Sequence, residues 1–441
     1  MDESLMSRRS LLVAAVGAVG TAAFPAPSEE TLRDGGRKID PAAPDLYASL
    51  FGVFNVKTYG AKGDGVTNDA PAILAAIAAV PGQGGIVYFP PGVFLLNSSI
   101  VINAHSNLSL VGAGVSATRL QMNANGVTVL SFTGVCSHIT IRDLWLGAAA
   151  SFASGGCISI IGTASVHSDT FVIENVRLQN TPAPWFSQYL DNSQIRNVRV
   201  MQTVAGAVKS VAMLMNSCVS NTFTEIVMLS TAGQFVGEGV RVDYDCDTII
   251  FINSQVLHAD TGWRCAQTAG HTGPRLSRFT NCYTESCTGT GWLIQAARDV
   301  RLSACHAAVN GGSGFEVTGG DSITICDSLS LSNGRHGIVV AGGTGVMLSG
   351  NTCSNNSQEA TATYSGISIG NKVTGVRIVN NRCGDFIFTL PKKQKHGIAI
   401  GAVGTDFLVV MGNDLQGNAT RALDDSSAGA SKMITQNVGV S

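Results

Sequence analysis

Residues 298–320 read RDVRLSACHAAVNGGSGFEVTGG, and residues 321–343 read DSITICDSLSLSNGRHGIVVAGG. Both units have 23 residues, and in each one short runs rich in β-branched residues alternate with Gly, Asn, Ser and Asp clusters, which is typical of strands and turns. The glycine that opens the last run of each unit recurs through the second half of the chain, at Gly239, Gly262, Gly291, Gly314, Gly337, Gly366 and Gly397. This repeat indicates a solenoid, in which stacked coils bury an apolar face that one unit cannot bury alone.

Each unit contains three such runs, for example residues 322–326, 329–331 and 337–340. They predict three strands per coil and therefore an all-β fold, a right-handed parallel β-helix. A leucine-rich repeat has a similar period, but its Leu-rich consensus is absent from these units.

Composition and length agree with one long solenoid. The chain has 441 residues, of which 51 are glycine and 13% are charged. Its net charge of -2 excludes the basic footprint expected of a nucleic-acid-binding protein. Because solenoids grow in one dimension, residues 51–441 are predicted to form a single domain.

The N-terminus has the pattern of a twin-arginine export signal. Arg8 and Arg9 precede an uncharged stretch of small and apolar residues at 10–26. Residues 1–26 are therefore predicted to be an export signal and residues 27–50 a polar leader. The expected location is secreted or periplasmic, with no membrane attachment after the signal is removed.

The eleven cysteines are an odd number, and several of them fall within repeat strands. Most are therefore predicted to be small buried hydrophobes, with Cys282 and Cys287 as the one expected disulfide. The chain contains no CxxC or HExxH segment, so no zinc site is expected.

Residues 54–102 read FNVKTYGAKGDGVTNDAPAILAAIAAVPGQGGIVYFPPGVFLLNSSIVI. This segment resembles the opening of the pectate-lyase-like (pectin lyase fold) β-helix superfamily, which includes polygalacturonase-related hydrolases and phage tailspike depolymerases. The resemblance implies a helix that caps the solenoid, a polysaccharide substrate and a homotrimer. Residues 70–79 are predicted to be that helix, with Asp69 as its N-cap. The GAKGDG segment has the wrong spacing for a phosphate loop and is interpreted as a structural turn.

The repeat also predicts which side chains face solvent, because alternate residues of a strand point to opposite sides. The residues directly after each glycine should point inward: Val240, Trp263, Trp292, Phe315, Ile338, Ile367 and Ile398. The residues two after each glycine should point outward: Arg241, Arg264, Leu293, Glu316, Val339, Ser368 and Ala399. The residues before each glycine form a second column: Glu238, Thr261, Thr290, Ser313, His336, Ser365 and His396.

Charged residues concentrate on the coils between Glu238 and Glu316, although surface ion pairs would give the same pattern. Glycoside hydrolysis needs two carboxyl groups on either side of the scissile bond, and neighbouring coils supply the separation. Glu238, Asp260 and Asp243 are the predicted catalytic residues of a glycoside hydrolase. The predicted substrate-binding residues are Arg241, Arg264, Glu285, Glu316, His258 and His336.

Other functions remain open at this point. No cofactor is expected, but Asp243, Asp245 and Asp247 alternate along the chain and would share one face of an extended segment, where they could bind Ca²⁺. Such a site would suit a polysaccharide lyase that acts by calcium- or arginine-assisted β-elimination; the alternative for the same residues is a polar turn. A fructan-type transferase that forms cyclic products and a non-catalytic carbohydrate-binding β-helix are further alternatives.

Two groups of residues allow both a binding and a structural role. The segment KHGIAIGAVG around His396 resembles a polygalacturonase motif, but the aspartate segments of that family are absent from the preceding coils. Trp185 and Tyr189 fall between predicted coils, where an exposed ring would stack on a sugar or pack within a loop.

Overall fold

The computed structural model describes residues 33–34, 37–38, 51–231, 233, 235, 237–386 and 391–439. The predicted export signal at 1–26 lies outside these residues. Within the predicted leader, Arg33–Asp34 (β1) and Arg37–Lys38 (β2) form a short antiparallel pair. In the described part of the chain, no helix is both long enough and apolar enough to cross a membrane.

The described strands after β2 all pair in parallel and stack into three sheets, as predicted for a parallel β-helix. Sheet 1 has 13 strands and contains the runs that the repeated glycines open. Its strands are Ile100–Asn103 (β7), Thr128–Thr133 (β10), Gly156–Ile161 (β12), Ala183–Gln188 (β14), Val211–Asn216 (β17), Glu238–Val242 (β20), Thr261–Cys265 (β23), Trp292–Ile294 (β26), Phe315–Val317 (β29), Ile338–Val340 (β32), Ile367–Ile369 (β35), His396–Ile400 (β38) and Arg421–Asp425 (β40).

Sheets 2 and 3 form the other two faces of the solenoid, and three long strands run through both: Ser137–Ala148 (β11), Ser168–Gln179 (β13) and Gln194–Gln202 (β16). Leu190–Asp191 (β15) pairs with the start of β13. Sheet 2 also contains Val53–Asn55 (β3), Gly85–Phe89 (β5), Leu108–Gly112 (β8), Thr222–Thr224 (β18), Ile250–Ile252 (β21), Arg278–Thr280 (β24), Arg301–Ser303 (β27), Thr324–Cys326 (β30), Met347–Ser349 (β33), Arg377–Val379 (β36), Leu408–Met411 (β39) and Lys432–Thr435 (β41). Sheet 3 also contains Asp64–Asn68 (β4), Gly92–Leu96 (β6), Thr118–Met122 (β9), Val227–Ser230 (β19), Gln255–Leu257 (β22), Tyr283–Glu285 (β25), His306–Ala308 (β28), Leu329–Leu331 (β31), Thr352–Ser354 (β34) and Arg382–Cys383 (β37).

Each coil therefore passes from sheet 1 to sheet 2, then to sheet 3, and returns to sheet 1. We call the segment between sheets 1 and 2 the first turn, and the segment between sheets 3 and 1 the third turn. A single left-handed residue makes the bend between sheets 2 and 3, for example Asn253, Asn281 and Asp327 with φ of 51°, 50° and 52°. Asn and Asp occupy this conformation more readily than other non-glycine residues.

The repeated glycines are required by close packing where the third turn meets sheet 1. A Cβ atom on Gly262 would lie 2.6 Å from the carbonyl oxygen of Gly291 and would also overlap the Thr284 hydroxyl. Real Cβ atoms do not approach backbone so closely, so a larger residue would force the coils apart.

The predicted inward column is confirmed. Trp263 and Trp292 are 1% and 0% exposed, and their rings stack with centroids 4.9 Å apart. Phe251 and Phe279 stack in the same way from sheet 2, at 5.7 Å. The core is thus a set of aromatic and aliphatic ladders along the solenoid axis.

The capping helix Ala70–Ala78 (α1) is confirmed, and it buries Ala70, Ile73 and Ile77 against the first coil. Asp69 is at the N-cap position, but its side chain makes no cap hydrogen bond. Its carboxylate instead accepts from the backbone N–H groups of Lys62 and Gly63, at 2.7 and 2.9 Å. Asp69 therefore holds the GAKGDG turn.

The eleven cysteines are all buried and free, so the predicted Cys282–Cys287 disulfide is wrong. The Cys282 thiol lies 3.5 Å from the Phe251 carbonyl oxygen, and the Cys287 thiol contacts the Thr284 hydroxyl at 3.2 Å. Burial raises the pKa of Cys265 to about 12. These residues act as small core side chains, as the sequence predicts for most of them.

Candidate functional site

The outer face of sheet 1 carries a network of charged side chains on adjacent coils. Glu238 and Arg241 belong to β20, and Arg264 follows in register on β23. Arg264 Nη1 donates to Glu238 Oε1, and Arg264 Nε donates to Gln295 Oε1 at 2.7 Å. Arg241 Nε lies 3.8 Å from Glu238 Oε2. The outward orientation predicted for these residues is thus observed.

Asp243 follows β20 and completes this network. Its Oδ2 lies 2.9 Å from Arg241 Nη2, and its Oδ1 accepts from the Tyr244 N–H at 2.8 Å. The Thr268 hydroxyl approaches both carboxylate oxygens at 3.5 Å. Glu238 and Asp243 thus lie on two sides of one guanidinium group, and both carboxylates form ion pairs with arginine.

Three polar atoms in this region are buried without a hydrogen-bond partner: Glu238 Oε2, Arg241 Nε and Asn216 Oδ1. Asn216 precedes Asp243 in register on the neighbouring coil. Only six such side-chain atoms occur in the described part of the chain, so half of them lie on two adjacent coils. Since buried polar groups ordinarily have partners, these atoms mark a place where a ligand or water would bind.

Asp260 has a different environment from Glu238 and Asp243. Its carboxylate oxygens accept from the Gly237 N–H and from the Thr288 hydroxyl, both at 2.8 Å. The side chain therefore connects third turns of neighbouring coils, which is a structural role.

The other predicted binding residues do not gather at this network. Glu285 lies on sheet 3, a different face from that of Glu238, and accepts from the Tyr283 hydroxyl at 2.8 Å. His258 lies where sheet 3 ends, and its Nδ1 contacts the Ser230 carbonyl oxygen at 3.0 Å. Glu316 is on the outer face of sheet 1, two coils beyond Arg264, and its Oε2 accepts from the Thr290 hydroxyl at 3.0 Å.

The three alternating aspartates do not share a face, because residues 243–249 turn between sheets instead of extending. Asp243 contacts Arg241, Asp245 contacts His271, and Asp247 contacts Arg275. Among the described residues no group of three or more His, Cys, Asp or Glu side chains is arranged to hold a metal ion. The predicted Ca²⁺ geometry is therefore wrong for these three residues.

A histidine and a tyrosine that the sequence interpretation missed lie beside Asp243. His271 Nδ1 lies 2.6 Å from Asp245 Oδ2, and its ring packs on Tyr244 with centroids 4.2 Å apart. Gln188, two coils earlier, donates its Nε2 hydrogen to the Tyr244 hydroxyl oxygen at 3.1 Å. The repeat contains a signal for His271, because the step from Gly262 to Gly291 has 29 residues and its extra residues lengthen this first turn.

The same first-turn edge carries a second set of similar residues. His167 Nδ1 lies 2.8 Å from Asp191 Oδ1, and the His167 and Tyr189 ring centroids are 5.2 Å apart. Trp185, in contrast, lies within β14 and is fully buried, so its predicted position between coils is wrong. Its position matches the inward residues of the neighbouring strands.

The second column contains two histidines, His336 and His396, and both are largely buried. His336 Nδ1 accepts from the Ser365 N–H at 3.0 Å, and its ring packs edge-on against Tyr364. Burial, together with the charge of Arg335, lowers the pKa of His336 to about 4. Burial also lowers the pKa of His396, whose Nε2 lies 3.5 Å from Asp424 Oδ2.

His336 should make the fold sensitive to acid. Its folded pKa of about 4 lies below the ordinary value of 6.5, so the unfolded chain binds a proton first as the pH falls. The neutral histidine is fully compatible with folding above pH 6.5, and stability is lost between pH 6.5 and 4, by up to about 3 kcal/mol. We expect urea unfolding of His336→Asn to show a smaller loss between pH 7 and 4.5 than the wild type. Equal losses would contradict this.

Comparison with known proteins agrees with the geometry. The family model described as rhamnogalacturonase A/epimerase, pectate lyase-like, matches residues 53–292. The chain belongs to this family. A model for the right-handed β-helix region matches residues 219–383, in agreement with the predicted handedness. The resemblance inferred from residues 54–102 is thus confirmed, and the chain is a right-handed β-helix protein of the pectate-lyase-like type.

Three curated relatives match shorter segments. Plasmin and fibronectin-binding protein A of Streptococcus pneumoniae is 28% identical over 170 residues, which cover 38% of this chain and 23% of that protein. Mannuronan C5-epimerase AlgE1 of Azotobacter vinelandii is 36% identical over 105 residues, 21% of this chain and 8% of the epimerase. Alginate lyase 7 of the same organism is 43% identical over 75 residues, 16% of this chain and 9% of the lyase. The chain thus spans less than a quarter of the length of each relative.

Among solved structures, the A-module of mannuronan C-5 epimerase AlgE6 from Azotobacter vinelandii resembles this pectate-lyase-like chain over most of its length. The superposition covers 87% of this chain and 98% of the A-module, with a TM-score of 0.65 and 18% identity. This likeness concerns the fold alone.

Proposed function

We propose that this chain is an enzyme that modifies a uronate-containing polysaccharide by removing the proton at C5 of a uronate unit, the step shared by lyases and C5 epimerases. The observation that carries the proposal is the His271–Asp245 pair stacked on Tyr244 at the edge of the charged outer face of sheet 1. The similarity to C5 epimerases and to an alginate lyase supports it.

His271 is the proposed general base. Burial raises the pKa of Asp245, but hydrogen bonds from Thr272 and His271 outweigh this and leave the pKa below its usual value. The ionised carboxylate therefore orients His271 with its proton on Nδ1, which leaves the Nε2 lone pair to accept the C5 proton.

Tyr244 is the proposed acid. Burial raises its pKa, and the neighbouring Tyr189 and Asp243 raise it further, so the phenol keeps its proton at neutral pH. Gln188 already donates to the phenol oxygen, so the hydroxyl hydrogen is available to a substrate. Donation to the glycosidic oxygen would complete an elimination.

The charged network would bind the reacting sugar. Removal of the C5 proton places negative charge on the carboxylate group of the same uronate unit. A guanidinium group beside that carboxylate stabilises the charge as it develops. Arg264 Nη2 makes no recorded hydrogen bond to the described part of the chain, and it is the group proposed for this role. Glu238 Oε2 and Asn216 Oδ1, which have no hydrogen-bond partner, would accept hydrogen bonds from sugar hydroxyls.

The second set, His167, Tyr189 and Asp191, favours epimerisation as the outcome. The Tyr189 N–H donates to the Asn216 carbonyl oxygen at 3.3 Å on the next coil, and the Ser217 N–H donates to the Tyr244 carbonyl oxygen at 2.8 Å on the coil after that. Tyr189 therefore lies two coils before Tyr244 at the matching position. Two coils are separated by about 9.6 Å along the solenoid, so both sets lie within reach of one bound polysaccharide. A second acid–base set would allow a proton to return to C5 after the first set has removed one.

An assay of products tests the proposal. Purified protein is incubated in deuterated water with mannuronan, polygalacturonate and a neutral glucan as control. An epimerase should leave deuterium at C5 of a uronate polymer without chain cleavage. A lyase should instead cleave the chain and leave an ultraviolet-absorbing unsaturated end, which has no hydrogen at C5. New reducing ends without either signal would overturn the proposal.

Glycoside hydrolysis by Glu238 and Asp243 is the second candidate function, favoured by their positions on two sides of Arg241. The argument against it is that both carboxylates are paired with arginine, which favours their ionised form, whereas one of the pair must donate a proton to the leaving oxygen. Hydrolytic products that depend on Glu238 and not on His271 would select this candidate.

A further inference from the structure

A cleft of about 380 Å³ opens on the first-turn edge, directly beyond the turn that carries His271. Its floor is formed by Gly273, Ala296, Ala297 and Gly320, and three charged residues also line it: Arg275, Arg298 and Asp321. The cleft and the proposed catalytic pair share a wall. Thr272 lines the cleft, and its N–H and hydroxyl both donate to Asp245, at 2.9 and 2.7 Å.

The floor of the cleft consists of closely packed backbone. A Cβ atom on Gly320 would lie 2.4 Å from the Ala297 carbonyl oxygen, and one on Gly273 would overlap that of Ala296. These two positions therefore exclude larger residues. The cleft owes its depth to them, and its shape is built into the stacking of the coils.

Four arginines lie on two adjacent coils, and two of them, Arg275 and Arg298, line the cleft. Arg275 pairs in register with Arg298, and Arg278 pairs with Arg301. Like charges on neighbouring strands repel, so this arrangement destabilises the fold unless it is compensated. Backbone carbonyl oxygens accept from Arg278, and Arg301 contacts the Cys326 sulfur.

Arg275 and Arg298 contact aspartates through Nε, which leaves their Nη groups able to bind a ligand. Arg275 contacts Asp247 through Nε at 2.7 Å, and Arg298 contacts Asp299 through Nε at 3.6 Å. Their side chains are 62% and 71% exposed, and their Nη groups make no recorded contact within the described residues. Paired N–H groups of this kind bind carboxylates in a bidentate manner.

We infer that this cleft is a subsite for a second uronate unit of the polysaccharide, whose carboxylate Arg275 and Arg298 bind. The inference rests on the proposed function for the identity of the polymer. Adjacent coils are about 4.8 Å apart, so the two guanidinium groups lie within reach of one sugar. The polysaccharide then follows the first-turn edge from Tyr244 past His271 into the cleft.

The double variant Arg275→Gln/Arg298→Gln tests the subsite. Arg335→Gln is the matched control, because Arg335 is 55% exposed and also contacts a carboxylate, Glu359, through Nε at 2.8 Å. Binding of polygalacturonate and of mannuronan is measured by calorimetry at low and high salt, with a neutral glucan for comparison. We expect the double variant to bind its preferred uronate polymer about tenfold more weakly at low salt. The control should bind like the wild type, and the difference should shrink at high salt.

Kinetics separate this inference from the proposed function. We expect the double variant to raise KM for long chains and to leave kcat and the turnover of short oligomers unchanged. Wild-type values for the double variant in both binding and KM would overturn the subsite while the proposed function stands. Cleft-dependent binding of uronate polymers without any C5 chemistry would overturn the proposed function and support the subsite. Equal weakening for the neutral glucan would overturn recognition of the carboxylate.

Discussion

We expect His271→Gln to lower kcat on a uronate polymer by about 100- to 10,000-fold, the usual contribution of a general base. The variant removes the Nε2 lone pair, while the exposed position of His271 spares the core. Asp245→Asn should also lower kcat, because the amide no longer holds the imidazole with its proton on Nδ1. The measurement, under saturating substrate, is solvent deuterium incorporation at C5 for an epimerase or ultraviolet absorbance of the unsaturated product for a lyase.

His105→Gln provides the control for this experiment. His105 is partly buried and its Nδ1 contacts only the adjacent Ser106 carbonyl oxygen at 3.0 Å, several coils from the site. It should retain wild-type turnover. If His271→Gln also retains it while the wild type incorporates deuterium, His271 is not the base, and His167 becomes the next residue to test.

The largest expected loss of stability is for Trp292→Ala, at about 3 to 5 kcal/mol in the free energy of unfolding. Trp292 is fully buried, and its ring stacks between Trp263 at 4.9 Å and Phe315 at 6.0 Å. Its indole N–H also donates to the His306 carbonyl oxygen at 3.2 Å, which would lose a partner. Urea unfolding followed by circular dichroism gives the measurement.

Leu293→Ala is the matched control, because Leu293 is the next residue of the same strand and faces the outside of sheet 1. A substitution on this face should change stability by about 0.5 kcal/mol or less. Comparable losses for the two variants would show that the stacked aromatic column is not a main source of stability. A loss confined to Trp292→Ala would agree with coils that depend on their immediate neighbours.

The sheet that carries the candidate site was predictable from sequence because its signal is local and repeated. The glycine spacing, the inward Trp263 and Trp292, and the outward Glu238, Arg241 and Arg264 all follow from a strand period of two and a regular coil length. The capping helix was predictable for a similar reason, since its apolar face and its N-cap position lie within one short segment.

The chemistry at the first turns was not predictable in this way. Asp243, Asp245 and Asp247 alternate in sequence, but the chain turns there, and each carboxylate contacts a different side chain. Asp260 is predicted from sequence to act with Glu238, but its carboxylate oxygens accept from the Gly237 N–H and the Thr288 hydroxyl in neighbouring third turns. The spacing of residues in a turn does not specify which way their side chains point, because turns have no fixed period.

The sequence by itself determined the right-handed β-helix, its core columns and the charged outer face of sheet 1, because the repeat specifies which side chains are buried. Only the tertiary structure decided which residues meet at the candidate site. Gln188 and Tyr244 are 56 residues apart, and Asp245 and His271 are 26 apart. Such contacts arise from the stacking of irregular turns on neighbouring coils, and no local pattern in the chain encodes them.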